Sequence, residues 1–286
     1  MKKNILILTD FSENASSAAE AGLALCSKLN TDLLLFHTYI DYPALPFASD
    51  EAWNPESFPL KKQEAEKKLR CLTEGLEYLA AQFDAASHQP TIQFRTDDGA
   101  LGVSLETILE QQSIELIVIG ARSPRHDDPL AGADTNAIIR YANRPVLVIP
   151  AGTNLAEIHQ IVFATDFDPA DLEAVRYLVK LSKLFGFGVE VIHVGLTQSK
   201  TADQDQIAFK KSLDELHATG LRFVQVNGKD LVTRLNKFAT ENGPVILALR
   251  HHHHPFFINL FVRSKAKALL EKQKTPLLIF PESLDT

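Results

Sequence analysis

The 286 residues include 45% apolar and 23% charged side chains, which excludes disorder as the default and suits two domains of about 140 residues each. A formal charge of −7 argues against nonspecific nucleic-acid binding, which relies on Lys and Arg to neutralise phosphates. It leaves room for a small anion held by backbone amides. Two cysteines, Cys26 and Cys71, are too few for a disulfide scaffold, and no apolar run reaches the roughly 18 residues of a membrane helix. The expectation is a reduced, cytoplasmic chain with no membrane and no nucleic-acid partner.

The apolar run after Met1-Lys2-Lys3-Asn4 lasts from Ile5 to Leu8 and ends at Thr9 and Asp10, far short of a secretory core. It predicts a strand over 4–9, followed by an amphipathic helix over 13–29 and a strand over 31–38. Residues 41–59, rich in proline and aromatics without a period, read as an irregular excursion. A helix over 61–86, a strand over 90–95, a break at Gly99, a helix over 103–112 and a strand over 114–120 come next. A helix over 133–142 and a strand over 145–149 close this half. A linker over about 151–157 is opened by Pro150, Ala151 and Gly152.

The second half repeats the pattern: strands over 160–165, 188–194, 221–226, 244–249 and 276–280, helices over 169–185, 203–218, 230–242 and 262–273. Four blocks recur in order. Ile5 to Ser12 matches Ile161 to Asp168, and Leu34-Leu35-Phe36-His37 matches Val191-Ile192-His193. Leu116 to Arg122 answers Val245 to Arg250, with Ala248 set against Gly120, and Arg144 to Pro150 answers Thr275 to Pro281. Asp10 and Asp166, like His37 and His193, lie 156 residues apart, so the intervening helix has one length in both copies. Continuous apolar strands imply burial on both faces, hence parallel sheets covered by helices. The expected fold class is α/β, two tandem doubly wound five-stranded parallel sheets, with domains over 1–150 and 151–286.

A strand ending Thr9-Asp10-Phe11-Ser12, a second ending in His37, a fourth running into Gly120, and a final Arg144-Pro145-Val146-Leu147-Val148-Ile149 together resemble the universal stress protein family, over nearly the whole chain and twice. The resemblance implies a Rossmann-like, adenine nucleotide alpha hydrolase-like fold. It implies a stress-response protein, some members binding ATP or another adenine nucleotide and others not. In binders, adenine and ribose lie against the ends of the first and second strands. The phosphates lie on a Gly-x2-Gly-x9-Gly-Ser/Thr loop, where glycines let backbone N–H groups approach and a helix N-terminus favours negative charge. Carried over, the site comprises Thr9, Asp10, Thr38, Gly120, Arg122, Ser123, Gly132 and Ala133. Ser123 replaces the second glycine, Ala133 replaces the hydroxyl residue, and the loop is one residue short. ATP or AMP, with Mg, is the cofactor this implies. The second copy has no glycine between Gly243 and the chain end, and Ser264 alone remains of the Gly-Ser pair. A triphosphate cradle is not expected there.

Asp10 and Asp166 end strands at the edge where open α/β sheets bind ligands. Asp10 either accepts from a ligand amino or hydroxyl group or, with Ser12, caps the following helix. His37 and His193 either face the same crevice or bond to backbone. His251, His252, His253 and His254 could chelate Zn or Ni through alternate side chains of an extended loop, yet no Cys or Glu in that loop completes a structural zinc site. The bland alternative is a solvated loop that titrates near neutrality. Phe256, Phe257, Leu260, Phe261 and Val262 follow as an apolar patch. No Walker loop, Gly-x-Ser-x-Gly elbow or paired-His motif is present, and no catalytic residue is assigned. The leading expectation is a non-catalytic binding or interaction protein whose copies pair intramolecularly as a pseudo-dimer through the strands at 145–149 and 276–280. A homodimer is a further expectation, and a nucleotide-handling protein with slow hydrolysis is the rival.

Overall fold

The computed structural model describes residues 2–39, 57–121, 135–195, 202–228, 234–235, 237, 241, 243–251, 275–282 and 284. The chain divides into two compact units, Met1–Ala142 and Asn143–Thr286. The first contains β1 (Asn4–Leu8), α1 (Glu13–Leu29), β2 (Asp32–Tyr39), α2 (Ser57–Ala80), β3 (Ile92–Asp98), α3 (Leu101–Gln111), β4 (Ile114–Gly120) and α4 (Thr135–Tyr141). The second contains β5 (Val146–Ile149), a 3-10 turn (Leu155–Glu157), β6 (Gln160–Ala164), α5 (Asp171–Phe185), β7 (Gly188–Gly195), α6 (Ala202–Asp214), β8 (Leu221–Asn227), β9 (Val245–Arg250) and β10 (Leu277–Phe280).

In the first unit the strand order is β3-β2-β1-β4, with every pair parallel. In the second it is β5-β10-β9-β6-β7-β8, parallel except for the antiparallel β5–β10 pair, which sets Leu277 opposite Val148 and Ile279 opposite Val146. The central strands are apolar and buried on both faces, as in Ile5–Leu8 and Val245–Arg250, which is why they read as unbroken runs rather than alternations. The helices turn one stripe inward: Ala174, Val175, Leu178, Val179 and Ser182 of α5 are buried at helical spacing. Order reverses beside β1 in one unit and beside β6 in the other. The C-terminal ends of β1/β4 and β6/β9 therefore flank the switch-point crevices where such sheets take ligands.

Several boundaries differ from expectation, among them the start of α2, at Ser57 rather than 61. β3 runs to Asp98 rather than 95, held in register by β2 up to the Tyr39–Asp98 pair. α2 ends at Ala80 rather than 86, because Asp84 accepts from the Ala86 amide and turns the chain. α6 ends at Asp214 rather than 218, where His217 at φ 43° and Gly220 at φ 82° reverse direction into β8. The expected excursion at 41–59 lies largely outside the described residues, as does part of the helix at 230–242. The helix at 262–273 lies wholly outside them, with Ser264 and the apolar patch.

Candidate functional site

At the C-terminal edge of the first unit, β1 gives way to a tight turn built by its own side chains. Thr9, buried, donates its amide to the Phe36 carbonyl at 2.9 Å and accepts the Phe11 amide on Oγ1 at 3.0 Å. Asp10, exposed, accepts the Ser12 amide at 3.0 Å. Ser12 is then the N-cap of α1, its Oγ accepting from Ala15 N at 3.2 Å. The turn drives Phe11 to φ 64°, a left-handed conformation that an aromatic residue rarely adopts. Its ring lies against His37, centroids 4.4 Å apart, with the Lys68 ammonium 5.6 Å from the ring centroid. His37 Nδ1 is 2.8 Å from the Thr9 carbonyl. The carbonyl can only accept, so Nδ1 carries the proton and Nε2 is the acceptor of the neutral ring. Burial lowers the His37 pKa, against the Thr9 bond and Asp10, which raise it.

β4 ends at Gly120 beneath the first turn of α1. A Cβ there would stand 2.5 Å from the Asn14 carbonyl carbon and 2.6 Å from the Ala15 nitrogen, so glycine is required by the approach of backbone to backbone. Asn14 Nδ2 donates to the Ala121 carbonyl and fixes the chain as it leaves the strand.

The second unit repeats the turn. Thr165 donates its amide to the Ile192 carbonyl at 2.9 Å and accepts from Phe167 N at 3.0 Å, and Phe167 sits at φ 71°. The Phe167 and His193 rings stack at 4.1 Å, and His193 Nδ1 is 2.9 Å from the Thr165 carbonyl. The crevice itself differs. Arg250, 6% exposed, ends β9 and places Nε 2.9 Å from Asp171 Oδ1 and Nη2 against Asp168 Oδ2. Its Nη1 reaches the Glu282 carbonyl at 3.3 Å. Asp171, 3% exposed, also accepts from Thr165 Oγ1 at 2.7 Å. Burial pushes the Asp171 carboxyl up, against Arg250 and the Thr165 hydroxyl, which pull it down. Burial also works against the Arg250 cation, but the Asp171 and Asp168 carboxylates outweigh it and hold its pKa above the ordinary value. Beside this network an open depression of about 410 Å³ is lined by Asp166, Phe167, Asp168, Asp205 and Phe209 among others. Its carboxylates make it unsuited to phosphate.

Strand register corrects one sequence alignment. Leu8 pairs with Ile119, and the equivalent Ala164 pairs with Leu249. The residue answering Gly120 is therefore Arg250, not Ala248. Ser12 and Ala15 are likewise answered by Asp168 and Asp171.

Of the residues expected at a nucleotide site, the structure brings Thr9, Asp10 and Gly120 to the edge of the β1/β4 crevice. Thr38 lies near the end of β2, half-buried and paired with Asp97. Arg122, Ser123, Gly132 and Ala133 lie outside the described residues, as do His252, His253 and His254. His251 follows β9 and donates its amide to the Phe280 carbonyl at 2.7 Å. Among the described residues no group of three or more metal-binding side chains is assembled, and no helix is long and apolar enough to cross a membrane. Sequence reasoning missed Asn14, Lys68 and the Arg250 network. The signal for the last was an arginine ending an apolar strand, with two aspartates replacing Ser12 and Ala15 in the other copy.

Comparison with known proteins follows the same lines. The fold resembles a universal stress protein from Archaeoglobus fulgidus DSM 4304 with a TM-score of 0.73 and 15% identity, covering 99% of this chain and 97% of that one. It also resembles a Pseudomonas aeruginosa UCBPP-PA14 protein assigned to the same group, at 0.55 and 14%, covering 98% and 93%. No curated protein matches the sequence. The model of the universal stress protein family matches residues 1–150, more than half of the 286. With that match, and with the α/β fold built on parallel strands around it, the chain belongs to the universal stress protein family.

Proposed function

We propose that this is a non-catalytic stress-response binding or interaction protein, built as a tandem of two copies of one fold that pair as a pseudo-dimer. One observation carries the non-catalytic reading: the threonine and histidine side chains at both crevice edges are committed to holding the backbone. The Thr9 and Thr165 hydroxyls accept the amides two residues on, and His37 and His193 each turn Nδ1 to a threonine carbonyl. Neither histidine is hydrogen-bonded to a hydroxyl or thiol that it could activate, among the described residues, and an activated nucleophile requires that contact. The antiparallel ladder of β5 with β10 supports pairing of the two copies through their last strands.

A second reading, an adenine-nucleotide protein acting at the first unit, is favoured by the exposed carboxylate of Asp10 at the crevice edge where β4 ends in Gly120. In that reading ATP or AMP, with Mg, rests on Gly120, Arg122, Ser123, Gly132 and Ala133. Isothermal titration of metal-free protein with Mg-ATP and with AMP separates the two. Submillimolar affinity lost in Gly132→Val selects the nucleotide reading, and no heat at millimolar ligand removes it. Zinc or nickel at His251 to His254 is a third and lesser role, discarded if tight zinc binding survives replacement of all four by alanine.

A further inference from the structure

In the second unit the end of β9, at the mouth between β6 and β9, carries a buried arginine held by side chains of the chain itself. Arg250 replaces a glycine position, and its guanidinium is met by two carboxylates and a carbonyl: Asp171, Asp168 and Glu282. The surroundings have changed with it. Asp168 and Asp171 stand where the first unit has Ser12 and Ala15, and Asp171 is oriented by the Thr165 hydroxyl. α5 also begins at Asp171, whereas α1 begins at Glu13, the counterpart of residue 169. A planar fork of donors, two carboxylate acceptors and a carbonyl around a guanidinium that is 6% exposed describe a guanidinium-binding site, not a surface ion pair.

We propose that Arg250 is a tethered ligand of the second unit, occupying its switch-point crevice as an alkylguanidinium bound by Asp168, Asp171 and the Glu282 carbonyl. This holds whether or not the first unit binds a nucleotide.

Chemical rescue tests it. Arg250→Ala should lower the unfolding midpoint of the full chain by roughly 10 °C, because the buried Asp171 carboxylate and the half-buried Asp168 carboxylate lose their cation. Methylguanidinium at about 20 mM should restore a measurable part of that loss through binding to the folded state, and methylammonium, with the same charge but no fork, should restore less. Neither should raise the midpoint of the parent, whose site is filled, or of Arg250→Ala/Asp168→Ser/Asp171→Ala, whose site is dismantled. An Arg250→Ala midpoint equal to the parent's overturns the proposal, as does a response to methylguanidinium that is absent or shared by the triple variant. If Arg250→Ala does not fold, Arg250→Lys decides: it keeps the charge and loses the fork, so a lowered midpoint is expected and an unchanged one is contrary.

Discussion

Burial lowers the His37 pKa, and the Lys68 ammonium adds to the effect, against the Thr9 carbonyl and Asp10. An exposed histidine in the unfolded chain titrates near 6.5. Between that value and the lower folded one, the unfolded state holds the extra proton. The stabilisation is therefore full above the unfolded pKa and is lost as pH falls through the window toward the folded pKa. The urea midpoint should fall between about pH 7.5 and 5.5, and His37→Gln should show a shallower fall; equal slopes would count against a half-buried neutral ring. At Gly120 the expectation is steric. Gly120→Ala forces a methyl into the backbone of Asn14 and Ala15, and it should cost about 1–3 kcal/mol in denaturant unfolding. Thr165→Val and Thr9→Val form a controlled pair. Both remove an acceptor for a phenylalanine amide, but only Thr165 also donates to a buried carboxylate. Thr165→Val should therefore be the costlier, by roughly 1–3 kcal/mol. Matching losses would mean that the Asp171 contact contributes nothing.

At the level of elements, much was legible. Ile5–Leu8, Ile161–Ala164 and Val245–Leu249 are buried on both faces, and an unbroken apolar run is the direct trace of that burial. The start of α1 was legible as well, since Ser12 before an alanine-rich amphipathic stretch is a strong capping signal. Ser12→Ala should destabilise by about 1 kcal/mol, read as a lower denaturant midpoint and faster amide exchange across the first turn of α1. The Phe11 turn was not legible. Nothing in Thr-Asp-Phe-Ser announces a phenylalanine at φ 64°, because that conformation is imposed by the Thr9 and Asp10 side-chain bonds and by the ring resting on His37, a contact across 26 residues. The Gly120–Arg250 correspondence was also hidden. Both strands are unbroken apolar runs, so an alignment by apolar identity placed Ala248 there, and only the pairing of β4 with β1 and of β9 with β6 fixed the register.

For the whole molecule, the sequence carried the family and the repeated strand–helix order, because both rest on patterns spread over the chain. It did not carry the asymmetry between the crevices, which arises from contacts between distant segments: Arg250 reaches Asp171 across 79 residues. In the first unit the equivalent place holds a glycine. The proposed reading is that the crevice edges of this family fold hold structure in place and do not drive catalysis. Inorganic phosphate released from Mg-ATP by the full chain tests that claim most directly. Release at the rate of buffer alone is the expected result. Sustained multiple turnover, abolished by Gly132→Val and by Asp10→Ala, would contradict it.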